Sequence, residues 1–165
     1  MTTNGEATLE QRLLAIEDRL AIYQIVSGYS YAVDGCNASV VGSFYAQNGV
    51  YDIGDLGARQ GRESVAGITR EASHLRRVHE GAGHVSTLPY VVIEGDRAVA
   101  TSHHVILAHR DGQFIVDRLS ACRFELSRKP DDGWEIDRRT NRLMNGDGLG
   151  PALMARLTEG PAPAT

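Results

Sequence analysis

Six histidines occur in 165 residues, five of them between positions 74 and 104. Imidazole is the side chain whose ordinary pKa makes it a proton carrier near neutrality, so each placement bears on what chemistry is open to the chain. His84 follows Gly81-Ala82-Gly83 and opens a β-rich run, where a histidine serves either as a surface residue or as a base. His103 and His104 stand mid-strand, and alternation sends one ring to each face. One of the two therefore faces the core or a cavity, and the apolar residues on both faces leave open which. His74, His79 and His109 stand near Arg76, Arg77 and Arg110 and read as solvated. Asp34 falls at the end of a long amphipathic helix, on the same stripe as Ile16. A carboxylate there is costly unless paired, and a negative charge at a helix C-terminus is disfavoured by the helix dipole. It either bonds the loop near Asn37 or meets a partner from elsewhere. Asp117, mid-strand among apolar residues, is a second candidate acid. Its competing use is an ion pair with Arg118 or Arg139 across strands.

Other site chemistries lack their patterns. There is no H-x-H or H-E-x-x-H pair to seed a metal site, no G-x-S-x-G elbow, and the glycines at 54, 57 and 61 do not form a dinucleotide fingerprint. Neither a metal nor an organic cofactor is expected. Cys36 and Cys122 are too few and too far apart for a disulfide scaffold and read as reduced thiols of a cytoplasmic protein. With 17 Lys+Arg against 21 Asp+Glu, the net charge of −4 provides no basic field for nucleic acid. The apolar runs, such as Val91 to Ile93 and Val105 to Ala108, are far shorter than the roughly 20 residues of a membrane span. The start of the chain, Met1 to Glu6, has no export pattern. A hydrophobic fraction of 42% in 165 residues fits one core.

The elements that must position Asp34 and the histidines follow from periodicity. Leu9, Leu13, Ile16, Leu20 and Tyr23 recur at helical steps with charged residues between them, and the periodicity continues through Val26, Ser30 and Val33. Thr8 and Gln11 form a capping-box pair, and Gly35 supplies the stop. A second helix is predicted over Ala38 to Ala46, a brief strand over Val50 to Ile53, a loop over Gly54 to Gly61 and a weak helix over Arg62 to His79, with Val65, Ile68, Ala72, Leu75 and Val78 on one stripe. Beyond Gly83 the pattern becomes β. Runs over His84 to Glu94, Arg97 to His109, Gln113 to Ser127 and Gly133 to Leu143 are separated by turns at Gly95, Asp111-Gly112 and Pro130 to Gly133. Pro151 to Leu157 has room for a short last helix, and Pro161 to Thr165 reads as a frayed tail. Helices followed by a run of strands make an α+β fold, with the long helix against one face of a curved sheet.

These residues carry a resemblance. The helix ending Tyr29-Ser-Tyr-Ala-Val-Asp34, the segment Phe44 to Tyr51, Gly61-Arg62-Glu63, Gly83-His84-Val85, and Gly133-Trp134-Glu135-Ile136 ahead of Arg139 resemble a SnoaL-like domain of the nuclear-transport-factor-2-like superfamily. The resemblance spans about residues 8 to 145 as a single domain, with 146 to 165 as an extension. It implies a cone-shaped, antiparallel or mixed sheet wrapped round an apolar pocket and closed by the N-terminal helices, a cystatin-like α+β barrel. Within the superfamily the chain is most similar to the branch containing scytalone dehydratase, lindane dehydrochlorinase and bile acid 7α-dehydratase. That likeness implies a catalytic pair of Asp34 and His84, with Tyr29, His104 and Arg139 at matching places around the substrate.

The chemistry so implied is a cofactor-free elimination. His84 takes a proton from an activated carbon, Asp34 orients the ring and raises its basicity, and Tyr29, His104 or Arg139 assists the leaving group. Tyr23, Val26, Phe44, Tyr51, Tyr90 and Phe124 are expected to build the pocket, which then suits an apolar, ring-containing substrate. Two alternatives stand beside it: an isomerase or cyclase working through Asp117, and a non-catalytic ligand-binding module. A homodimer or homotrimer is expected, since a curved sheet leaves a broad outer face to cover.

Overall fold

The computed structural model describes residues 7–130 and 133–162. The long helix forms as its sequence dictates: α1 covers Leu9–Asp34, and Thr8 and Gln11 make both bonds of the capping box. The predicted stripe is buried only in its second half, at Val26, Ser30 and Val33. Leu9, Leu13, Ile16 and Leu20 are all more than half exposed, while Ile22, Val26, Tyr29 and Val33 are buried. Toward its start α1 runs out past the sheet, which it meets first at Asp18, so Leu9, Leu13 and Ile16 stay exposed. The helix stops at Gly35 as predicted, with this glycine at a negative φ and Cys36 as the left-handed residue at φ 51°.

After α1 come α2 (Ala38–Ser43), β1 (Tyr45–Asp52), a 3-10 turn (Gly54–Leu56), β2 (Ala58–Gln60), α3 (Arg62–Gly67), a second 3-10 turn (Ile68–Arg70) and α4 (Ala72–Glu80). Tyr45 and Ala46 therefore belong to a strand rather than to the predicted second helix. The predicted 54–61 loop contains a strand that pairs with β1. The predicted helix over 62–79 breaks at Glu71, which adopts an extended backbone. The break turns the face of α4, so that His74 is buried and Leu75 is exposed.

The remaining strands are β3 (Ala82–Ser86), β4 (Tyr90–Glu94), β5 (Arg97–Arg110), β6 (Gln113–Arg128) and β7 (Trp134–Leu143), followed by α5 (Leu149–Ala155). The sheet runs β2-β1-β7-β6-β5-β3, with β4 also on β5. The predicted 84–94 run is thus two strands, each antiparallel to a different part of β5. Every pairing is antiparallel except that of β1 with β7, which joins residues about ninety positions apart. Asp111 and Gly112 both take positive φ in the β5–β6 hairpin, as a tight turn with right-handed strand twist requires. Of the Pro130 to Gly133 turn, Asp131 and Asp132 lie outside the described residues, as do Met1 to Glu6 and the last three residues of the tail.

Bulges along both edges of β6 curl the sheet. Ile106 pairs with Arg118 and Leu107 with Val116, leaving Asp117 as the extra residue. On the other edge of β6, Glu125 pairs with Arg138 and Leu126 with Ile136. Bulges sharpen twist and bend the strand, and the concave face so formed receives the second half of α1. Ile22, Val26, Tyr29, Tyr45, Phe124, Leu126, Trp134 and Ile136 fill the core between them. Asp18 ties α1 to the sheet by accepting two bonds from Arg128 and one from the Trp134 indole, all within 3.0 Å.

Candidate active site

At the C-terminal end of α1 the helix meets β3 side-on, and Asp34 meets His84. One carboxylate oxygen accepts the His84 backbone N–H at 2.9 Å and the other bonds His84 Nδ1 at 2.5 Å. The unfavourable place of an acid at a helix C-terminus is offset by these two donors. An ionised carboxylate only accepts, so Nδ1 carries the hydrogen, and the lone pair of the neutral ring is on Nε2. Among the described residues Nε2 has no hydrogen-bond partner in the protein. The His84 side chain is 8% exposed and Asp34 29%. The chain reaches this position through Gly81, whose φ of 93° ends α4 and turns it into β3.

β3 pairs with β5 so that Ser86 stands opposite His104 and His84 opposite Ile106. His84 and His104 are therefore diagonal neighbours on one face, their rings 5.5 Å apart. Of the adjacent pair at 103 and 104, His104 is the one that turns inward, 3% exposed. Its Nδ1 bonds Ser86 Oγ, which in turn bonds Ser30 Oγ of α1. Burial, helped by the charges of Arg139 and Arg118, pushes the His104 pKa down to about 2, so the ring is neutral.

His74 is not solvated as its arginine neighbours implied. It is buried, and its Nε2 donates to the Val33 carbonyl at 3.0 Å, capping the end of α1 beside Asp34. Burial lowers its pKa too. Its ring lies 6.1 Å from that of His84, which makes a row of three imidazoles. His79 and His109 are exposed.

A cavity of about 280 Å³ opens in front of this row. Tyr29, Tyr51, His84 and His104 line it, with Ile53, Ile68 and Ile106 among its apolar walls. Arg59 and Arg77 stand at its edge, paired with Glu71 at 3.0 Å and Asp117 at 2.6 Å. Arg118 is a further guanidinium in the lining. Burial raises the phenol pKa of Tyr29 and Tyr51, so both remain hydrogen-bond donors. Under these two rings lies Arg139, fully buried, its guanidinium 4.2 Å from the Tyr29 ring, 4.6 Å from Tyr51 and 5.0 Å from Phe124. It donates to Asn141 Oδ1, and Asn141 donates to the Tyr51 hydroxyl. Among the described residues no carboxylate pairs with it.

Several expected site residues fall elsewhere. Tyr23 is half-buried and Phe44 packs against Gly28 of α1, and neither lines the cavity. Val26 and Phe124 belong to the core beneath, and Tyr90 is half exposed. Arg139 is separated from the cavity by the tyrosine rings rather than facing it. Asp117 lies outside: the bulge turns it to Arg77 and Arg110, both within 2.7 Å, and not to Arg118 or Arg139. Among the described residues no three His, Cys, Asp or Glu side chains group to hold a metal ion, and no helix is long and apolar enough to cross a membrane.

A family model described as SnoaL-like domain matches residues 14–140. No curated protein matches the sequence. Among solved structures, an NTF2-like protein with a cystatin-like fold from Novosphingobium aromaticivorans superposes with a TM-score of 0.87 at 28% identity, over 93% of this chain and 99% of that one. The hexachlorocyclohexane dehydrochlorinase LinA-type3 from Novosphingobium barchaimii gives 0.69 at 17% identity, over 81% and 90% of the two chains. An NTF2-like superfamily protein from Salmonella enterica gives 0.64 at 17% identity, over 82% and 97%. At such identities the last two likenesses speak for the fold alone.

Proposed function

The chain belongs to the SnoaL-like domain family, and from that membership and the site above we propose that it is a cofactor-free lyase. It removes a proton and a leaving group from neighbouring carbons of a small, ring-containing molecule. The reading rests on one observation: Asp34 grips both the backbone N–H and Nδ1 of His84, leaving Nε2 unpartnered on a buried ring that lines the cavity. A base that must reach carbon needs a fixed tautomer, a fixed ring and little competing water. The carboxylate supplies the first two, and burial of the ring supplies the third.

In this reading His84 Nε2 accepts the carbon-bound proton and Asp34 balances the imidazolium that forms. The neutral His104 and the phenols of Tyr29 and Tyr51 face the same space and offer hydrogen bonds to a carbonyl or departing group. The dehydrochlorinase among the structural neighbours performs an elimination by its name, which makes chloride as well as hydroxide a leaving group worth testing. The experiment is a panel of β-hydroxy and β-chloro cyclic ketones followed by NMR with the wild-type chain, His84→Gln and Asp34→Asn. Unsaturated product from the wild type and loss of about 10²- to 10⁴-fold in His84→Gln are expected. Equal turnover by His84→Gln refutes the proposal.

A further inference from the structure

Three guanidinium groups line the cavity, and their charges are not equally spent. Arg59 has Glu71 and Arg77 has Asp117. Arg118 has no carboxylate within ion-pair distance among the described residues. Its Nε donates to Ser120 Oγ at 3.2 Å, and one terminal nitrogen makes a long 3.4 Å bond to the Ile53 carbonyl. The half-buried side chain is placed there by the bulge at Asp117, which takes the neighbouring acid away to Arg77 and Arg110. Behind the cavity, Arg139 adds a second cation without a carboxylate. The acids at hand are committed, Asp34 to His84 and Glu71 to Arg59. The wall therefore presents a fork of donors and a net positive field to whatever enters.

Resting on the reading of this cavity as the substrate site, we propose that its ligand is a ring-bearing carboxylate, and that Arg118 binds the carboxylate. A guanidinium matches the two oxygens of a carboxylate with paired N–H donors. The cavity lies at the small end of ligand sites, which limits the ligand to one or two rings. Binding the anion at Arg118 leaves His84 and His104 to the remainder of the molecule, so charge recognition and proton removal fall on different walls.

The test uses binding alone, so that it stands or falls apart from the elimination. The full chain is titrated with 2-naphthoate and with its neutral isostere 2-naphthamide, by calorimetry and by NMR of the histidine ring signals, at pH 7. The wild type is expected to bind the carboxylate at least tenfold more tightly than the amide, with shifts at His84 and His104. Arg118→Met is expected to remove that preference, and Arg118→Lys to keep part of it. Equal binding of carboxylate and amide by the wild type overturns the proposal, a result that needs no variant to fold. So does an undiminished preference in folded Arg118→Met, or the absence of naphthoate binding at millimolar concentration.

Discussion

A neutral, buried His104 makes the fold sensitive to acid well above the range in which carboxylates titrate. Its pKa is about 2 in the folded protein, against 6.5 for an unhindered ring. Between those values the unfolded chain binds a proton that the folded chain refuses, so stability falls as pH falls. The contribution is fully present above pH 6.5 and weakens at about 1.4 kcal/mol per pH unit below it. From pH 7 to pH 5 the loss from this one ring is about 2 kcal/mol. The carboxylates of Asp18 and Asp52, held below the usual range by bonds from Arg128 and Arg142, add their loss only below about pH 4, leaving the upper window to histidine. The assay is urea unfolding followed by the single tryptophan, Trp134, at half-unit pH steps, for the wild type and His104→Asn. Asn retains a polar atom for Ser86 but does not titrate. His74 remains in both proteins and shifts in the same direction, so the difference between the curves isolates residue 104. A variant curve flatter by about 2 kcal/mol over that interval is expected. Parallel curves would refute the account of His104 as a desolvated neutral ring.

Asp18→Ala removes three bonds that fix α1 to β6 and β7, and is expected to cost about 1–3 kcal/mol and to shift Trp134 emission, read by fluorescence and urea unfolding. Arg139→Ala leaves a gap among Tyr29, Tyr51 and Phe124 and is expected to cost about 3–5 kcal/mol. Arg139→Met keeps most of the stem and strands no carboxylate, so its cost is expected below about 2 kcal/mol. Equal losses in the two would place the stabilisation in the charge instead. Asp34→Asn is expected to lower turnover by about 10²-fold or more while leaving far-UV circular dichroism unchanged, because its one amide oxygen can still accept from the His84 backbone.

Much of this site is written in local pattern. Thr8 and Gln11 announce where α1 begins, and Gly81 to His84 announces a strand opening on an imidazole. The resemblance of Asp34 and His84 to the ends of matching elements anticipated their meeting across fifty residues. What local pattern could not carry is partnership decided by the whole sheet. The buried face of α1 depends on where the sheet stops, so along one predicted stripe Leu13 and Ile16 stay exposed while Val26 and Val33 are buried. The parallel pairing of β1 with β7, which sets Tyr51 beside Arg139, leaves no local trace. Nor does a one-residue bulge, yet the bulge at Asp117 separates an acid from Arg118 and gives the cavity its uncompensated charge. His74 was hidden for a similar reason: a single extended residue at Glu71 rotates the helix that carries it.

The central claim is that His84, held by Asp34, removes a proton from carbon. Its most direct measurement compares initial rates on a substrate from the ketone panel with hydrogen and with deuterium at the carbon to be deprotonated, for the wild type and His84→Gln. The account predicts a slower wild-type reaction on the deuterated compound and a rate at least about a hundredfold lower in the variant on either. Turnover by His84→Gln at the wild-type rate would contradict it.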